Sequence, residues 1–308
     1  MRCSLAKLAL ICVVMLAGIA QAQEKRPSQR LFESPEAAVS AFIAACEAND
    51  TKELIAIFGP IVEQETDRID DAEERANRAL IAEMAKQVRR IEERSDSTRV
   101  VLLGLELWPF PMPMVQTSSG WRFDTESGID ELRRRRIGRN ELTAIDVCRA
   151  FVDAQHEYAQ VDHDGDGIPE FAQKILSTAG QHDGLYWESK ADTGEPLSPL
   201  GPFLAEADAT VKSGKSQGYL GYRFKVLTEQ GKHAPDGKSP YLKNKNMTDG
   251  FALIAWPTDY GHSGVMTFIV SHHGAVYEKD LGPKTETLST KTSRFDPDPS
   301  WKLVTEAP

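Results

Sequence analysis

The chain has 308 residues, with 46 Asp and Glu against 36 Lys and Arg and a formal net charge of −10. That acidic balance excludes a nucleic-acid binder, because phosphates demand a basic footprint, and it is unsuited to anionic lipid surfaces. The length exceeds one typical domain and points to two, each large enough to bury a core.

The first element in chain order is a secretory leader. Arg2 and Lys7 form a positive start, Leu8 to Gly18 an apolar stretch, and Ala20-Gln21-Ala22 a small-x-small cleavage site. The apolar stretch, about eleven residues, is too short to span a bilayer of roughly 30 Å as a helix. Cleavage after Ala22 is expected, with the protein in the periplasm or secreted and no membrane span left. Losing residues 1–22 makes the net charge more negative by two and removes Cys3 and Cys12. Cys46 and Cys148 remain. In an oxidising compartment they could pair, or each could sit reduced in a helix core as a small hydrophobe.

Residues 23–33 read as a disordered lead-in, and 34–128 as an N-terminal α+β domain. Ser34-Pro35-Glu36 is a helix start: a serine N-cap, proline at the first helical position and an acid in the first turn. Val39, Phe42, Ile43 and Cys46 follow at helical spacing. A second helix restarts at Asn49-Asp50-Thr51 and stops at Gly59-Pro60. A highly charged helix is expected over 72–94. The period then changes: Thr98 to Trp108 and Gly120 to Thr125 read as strands, with the prolines between 109 and 113 forcing an edge or a bend. Helices followed by a small curved antiparallel sheet resemble a nuclear-transport-factor-2-like cone in element order.

Residues 129–160 read as connecting helices, one from near Ile129 and another over Glu141 to Gln160, separated by Gly138. Residues 161–308 read as a C-terminal α+β domain. It opens on an aspartate loop and a helical turn from Pro169 to Leu176. Strands follow at Tyr219–Thr228, Gly250–Trp256, Val265–Ser271 and Ala275–Lys279, the last two joined by His272-His273-Gly274. Short turns between consecutive strands predict an antiparallel β-meander.

Trp108-Pro109-Phe110-Pro111, Gly120-Trp121-Arg122-Phe123-Asp124, Arg136-Ile137-Gly138-Arg139-Asn140-Glu141-Leu142 and Asp183-Gly184-Leu185-Tyr186-Trp187 form a distinctive set of phrases, with Gly250-Phe251-Ala252-Leu253-Ile254-Ala255-Trp256-Pro257 and Phe295-Asp296-Pro297-Asp298. Together they resemble a family of bacterial secreted proteins, domain-of-unknown-function family 2950. The resemblance covers about Ser34 to Val304. It implies export and no particular activity, so it transfers no catalytic residue.

The sharpest chemical signal is Asp162-His163-Asp164-Gly165-Asp166-Gly167, three carboxylates on alternate residues closed by glycine. The spacing matches the first half of a calcium hand: Asp162, Asp164 and Asp166 as ligands, Ile168 by its carbonyl, and Glu170 at the ninth position. Gln173 stands where the bidentate twelfth-position glutamate belongs, so a weak site of extracellular type is expected. The bland alternative is an Asp-Gly turn between helices.

Other constellations fail on spacing. His156-Glu157 begins like a zinc helix motif, but Gln160 replaces the second histidine. His182, His233, His262, His272 and His273 fall in loops without ligand spacing. Gly261-His262-Ser263-Gly264 lacks a glycine two residues after serine, as a nucleophile elbow requires. The run Arg133 to Arg136 cannot share one helix face. The expectation is an exported envelope protein acting as a non-enzymatic binding or assembly module on an envelope protein or glycan, with calcium as a structural ion. The alternative is an envelope hydrolase of glycan or peptide using carboxylates or loop histidines.

Overall fold

The computed structural model describes residues 29–62, 71–188, 197–201 and 220–305. The expected leader lies outside the described residues. The chain divides into two compact units, one up to Leu132 and one from Arg133 onward.

The first unit is built as its capping signals dictate. Helix α1, Pro35–Glu47, starts where the Ser34 hydroxyl accepts the Ala37 amide, and buries Val39, Phe42, Ile43 and Cys46. Helix α2, Thr51–Phe58, starts where Asp50 accepts the Glu53 amide at 3.0 Å. A third helix, α3, covers Asp71–Gln87. A sheet ordered β1-β2-β4-β5, with β3 also on β2, follows: β1 Arg89–Ser95, β2 Thr98–Leu103, β3 Trp108–Pro109, β4 Met114–Thr117 and β5 Gly120–Phe123. Its core is aromatic, with Phe42, Phe58, Phe110 and Phe123 packed at ring separations of 4.6 to 6.3 Å.

Two expectations are corrected in this unit. Residues 29–33 are not a loose lead-in. The Gln29 amide donates to the Phe123 carbonyl at 2.7 Å, and Phe32 and Trp121 exchange backbone hydrogen bonds at 2.8 Å each. Second, the charged helix stops at Gln87 and does not run to Arg94, because 89–95 pair with β2, Ile91 opposite Val101. The apolar Val101, Leu102 and Leu103 need a neighbour, and a charged segment is suited to be the edge strand that resists further pairing.

Helix α4 is continuous from Thr125 to Tyr158, so Gly138 does not separate two helices. A mid-helix glycine costs roughly 1 kcal/mol against alanine. Tertiary anchors two and three residues after it offset that cost. Asn140 donates to the Ser263 carbonyl at 2.8 Å, and Glu141 accepts the amides of Val265 and Met266 at 2.9 and 3.0 Å. Ile145, Cys148, Phe151 and Val152 then bury one stripe in the core of the second unit.

That core rests on a five-stranded antiparallel sheet ordered β15-β13-β12-β11-β6. Here β6 is Tyr222–Leu227, β11 Ala252–Pro257, β12 Met266–Ser271, β13 Val276–Asp280 and β15 Lys302–Leu303. The meander β11-β12-β13 is as expected, in the register Ile254–Ile269–Tyr277. Strand β11 is buried along its whole length, which explains its unbroken apolar run. Smaller pairings flank it: β7 Glu229–Gln230 with β8 Ser239–Pro240 and, in parallel, β14 Arg294–Phe295, and the hairpin of β9 Leu242–Lys243 with β10 Asn246–Met247. A short helix, α5, covers Thr285–Lys291.

Pro169–Leu176 is not a helical turn. Its backbone groups go elsewhere: the Phe171 amide to the Met247 carbonyl at 2.9 Å, and Leu176 into a bridge with Tyr186. Both cysteines are free and buried, Cys46 in the core of the first unit and Cys148 in that of the second, each acting as a small hydrophobe. Burial pushes both thiols up to about 12.

Candidate functional site

Two clusters in the second unit gather chemistry-bearing side chains. The first is the aspartate loop, which follows directly from the end of α4. The ligand oxygens of Asp162, Asp164 and Asp166 lie within 4.8 Å of one another. The loop is wound by its own carboxylates. Asp162 accepts the amides of Gly165 and Gly167, both at 2.8 Å, and Asp166 accepts the amide of Ile168 at 2.8 Å. Gly167 sits at φ +85°, a conformation that favours glycine, and this lets its amide turn back to Asp162. The two glycine amides, Gly167 foremost, hold the Asp162 carboxyl below its usual range.

Glu170 bonds instead to the β9–β10 hairpin, and Ile168 meets the trio through its amide on Asp166. Glu170 accepts the Met247 amide at 2.7 Å, and the Ile168 side chain is exposed. Gln173, at the twelfth position, donates to the Lys245 carbonyl at 2.6 Å. Asn246 donates to Asp166 at 2.6 Å. The loop and its exit are therefore stitched to the β9–β10 hairpin through Asp166, Glu170 and Gln173. Gln155 of α4 completes the anchorage: its amide exchanges two hydrogen bonds with the Ala172 backbone, both at 2.8 Å and buried.

Beside the loop is a cavity of about 230 Å³ whose lining includes Tyr158, His163, Asp164, Glu170, Lys174 and Asp183. His163 stacks on Tyr158 at 3.9 Å, and His182 stacks on Trp187 at 4.3 Å. Burial pushes the Tyr158 hydroxyl up to about 12, with the negative charges of Glu170, Asp183 and Asp164 adding to it. For Asp183, burial works to raise the carboxyl. Hydrogen bonds from Lys174 and Thr178 prevail and hold it at about 2.

The second cluster was missed by spacing arguments. Asp236, His272 and His273 bring their ligand atoms within 4.8 Å of one another. Asp236 and His272 line a larger concavity of about 450 Å³, together with His156, Ser239 and Asp249. Burial, then the neighbouring His273, pushes the His272 imidazole below its ordinary value. The available signal was the paired histidines before a glycine at a hairpin corner. Asp236 sits in a separate turn, and nothing in its own surroundings in the sequence marks it.

The serine turn is structural. The Ser263 hydroxyl accepts from Thr258 at 3.2 Å and from the Asp259 amide at 3.0 Å, which ties down the loop before β12. No helix among the described residues is long and apolar enough to cross a membrane.

Residues 29–304 match the model of the family described as Protein of unknown function (DUF2950), and the chain belongs to that family. No curated protein and no solved structure matches it.

Proposed function

We propose that this DUF2950 family member is an exported protein of the cell envelope, a non-enzymatic binding or assembly module whose second unit uses calcium as a structural ion. The observation that carries this reading is the convergence of Asp162, Asp164 and Asp166 on a loop clamped to the β9–β10 hairpin through Asn246. Three carboxylates at that spacing present hard oxygen ligands, and the Ile168 carbonyl with Glu170, directly or through water, would extend the set. Because Glu170 already serves Met247 and Gln173 serves Lys245, the affinity belongs in the extracellular range, about 10⁻⁴–10⁻³ M. The role fits a fastener: the ion would neutralise a carboxylate cluster that joins the end of α4 to a hairpin about 80 residues later.

The hydrolase reading has one observation in its favour, the concavity beside Asp236 and His272. Against it, the carboxyls of Asp162, Asp183 and Asp298 are displaced downward. A general acid needs the opposite displacement. Two measurements test the proposal. N-terminal sequencing of protein recovered from the periplasm or medium is expected to begin at Gln23. Calorimetric titration is expected to give one calcium per chain with a dissociation constant on the order of 10⁻⁴–10⁻³ M. Retention in the cytoplasm with an intact leader would refute export, and absence of heat at millimolar calcium would refute the ion.

A further inference from the structure

We infer that Asp236, His272 and His273 form a second metal site, selective for a zinc-class divalent transition metal. It shares no residue with the aspartate loop and goes beyond the reading above. The ligand set is two imidazoles and one carboxylate, a borderline nitrogen-rich donor set that zinc, iron, copper and nickel accept and calcium does not.

The geometry is close to what such an ion needs. Asp236 Oδ2 lies 2.7 Å from His273 Nε2 and 3.7 Å from His272 Nε2. Tetrahedral coordination at bonds of about 2.0–2.1 Å places neighbouring ligand atoms roughly 3.3 Å apart. The observed pair of distances brackets that value, so an ion entering between the three atoms opens one contact and tightens the other by a few tenths of an ångström. Without metal, the short contact serves as an ordinary His–Asp hydrogen bond.

Both arms of the site are held by the fold. Consecutive residues of a strand point to opposite faces, which would part His272 from His273. They sit instead at the corner of the β12–β13 hairpin, where the Gly274 amide closes on the Ser271 carbonyl at 2.8 Å, and their rings lie 4.2 Å apart. The His272 amide donates to the Phe251 carbonyl at 3.0 Å. Gly250, at φ +128°, leaves the ring its space: a β-carbon there would fall 2.6 Å from His272 Nδ1. Asp236 rides on a turn closed by the Gly237 amide on Ala234, and Gln230 holds that turn by donating to the Gly237 carbonyl at 2.8 Å. The concavity of about 450 Å³ beside Asp236 and His272 gives the ion an open coordination position. Three protein ligands with one position left for water or a ligand oxygen is the open arrangement, whereas structural zinc uses four protein ligands.

The test is zinc binding by the mature chain, read by competition with a chromogenic chelator, with cobalt as the spectroscopic probe. One equivalent is expected, with visible bands of a four-coordinate cobalt site bearing nitrogen ligands. His273→Ala and Asp236→Asn, both at exposed positions, each lower the affinity by more than the roughly 10–100-fold typical of losing a mere supporting contact. Asp164→Ala leaves zinc binding unchanged, which separates this site from the calcium loop. Absence of stoichiometric zinc binding, undiminished binding in either His273→Ala or Asp236→Asn, or loss in Asp164→Ala would overturn the assignment.

Discussion

Gln155→Leu is the substitution that probes most sharply how the end of α4 is fastened to the aspartate loop. The native amide is fully buried and satisfies both the N–H and the C=O of Ala172, each at 2.8 Å. Leucine occupies a similar volume but can serve neither group. Each orphaned buried backbone group costs about 1–3 kcal/mol. The apolar side chain recovers part of that loss, leaving a net destabilisation of about 2–4 kcal/mol. Because Ala172 lies just past the loop, the opening should be local before it is global. Two assays read this: urea unfolding followed by fluorescence of Trp187, Trp256 and Trp301 in the second unit, and hydrogen exchange of the segment 169–176. The expected result is a lower midpoint and a selective loss of amide protection in that segment. A midpoint shift corresponding to less than about 0.5 kcal/mol, the range of neutral surface changes, would refute the argument. So would protection unchanged at Ala172.

Three further outcomes follow from named groups. Asp183 is held at about 2, below the unfolded carboxyl value of roughly 3.9, so its contribution is complete above about pH 4 and disappears as pH falls through about 2. Asp183→Asn should flatten the acid limb of the stability profile over that interval, and a limb identical to wild type would contradict the Lys174–Asp183–Thr178 arrangement. Cys46 and Cys148, buried with thiols raised to about 12, should resist a thiol reagent at pH 8 and release two equivalents per mature chain in denaturant. Rapid labelling of the native chain, or no thiol in denaturant, would show the burial or the free state to be wrong. Gly250→Ala should displace His272 and lower the melting temperature, because the position combines φ +128° with a 2.6 Å approach; a melting temperature equal to wild type would count against that packing.

What the chain reveals before folding follows the range of the interactions involved. Helix α1 is written in local chemistry, Ser34, Pro35 and the Val39–Phe42–Ile43–Cys46 spacing, and it forms where those residues place it. The β11–β13 meander is likewise visible, because buried β-branched and aromatic runs in consecutive strands leave few alternatives. The segments read wrongly are those decided by a distant partner. Arg89–Ser95 has the charge density of a solvated helix, yet it becomes a strand because Val101 and its neighbours require an edge. Gly138 looks like a helix boundary until Asn140 and Glu141 find Ser263, Val265 and Met266. Pro169–Leu176 is drawn out of a helical turn by Met247 and Gln155.

The same division applies to the sites. Asp162, Asp164 and Asp166 are carboxylates spaced within one loop, so their convergence can be read from spacing alone. The pairing of Asp166 with Asn246, and of Glu170 with Met247, spans 80 and 77 residues of sequence and leaves no local trace. Asp236 reaches the two histidines only because the turn after β7 folds beside the β12–β13 hairpin. Histidines dismissed for want of spacing thereby enter a cluster with a carboxylate from elsewhere in the chain.

The most direct test of the central claim, that the aspartate loop is a calcium-dependent fastener, is the melting temperature of the mature protein in calcium and in chelator, beside Asp164→Ala. A ligand that binds the folded chain alone stabilises it by RT ln(1 + [L]/Kd), about 1.4 kcal/mol at tenfold saturation, which for a domain of this size is roughly 3–6 °C. The account predicts a rise of that order in the wild type and none in Asp164→Ala. An unchanged wild-type melting temperature at ten millimolar calcium (about tenfold over the weak end of the expected range), or an equal rise in the variant, would contradict it.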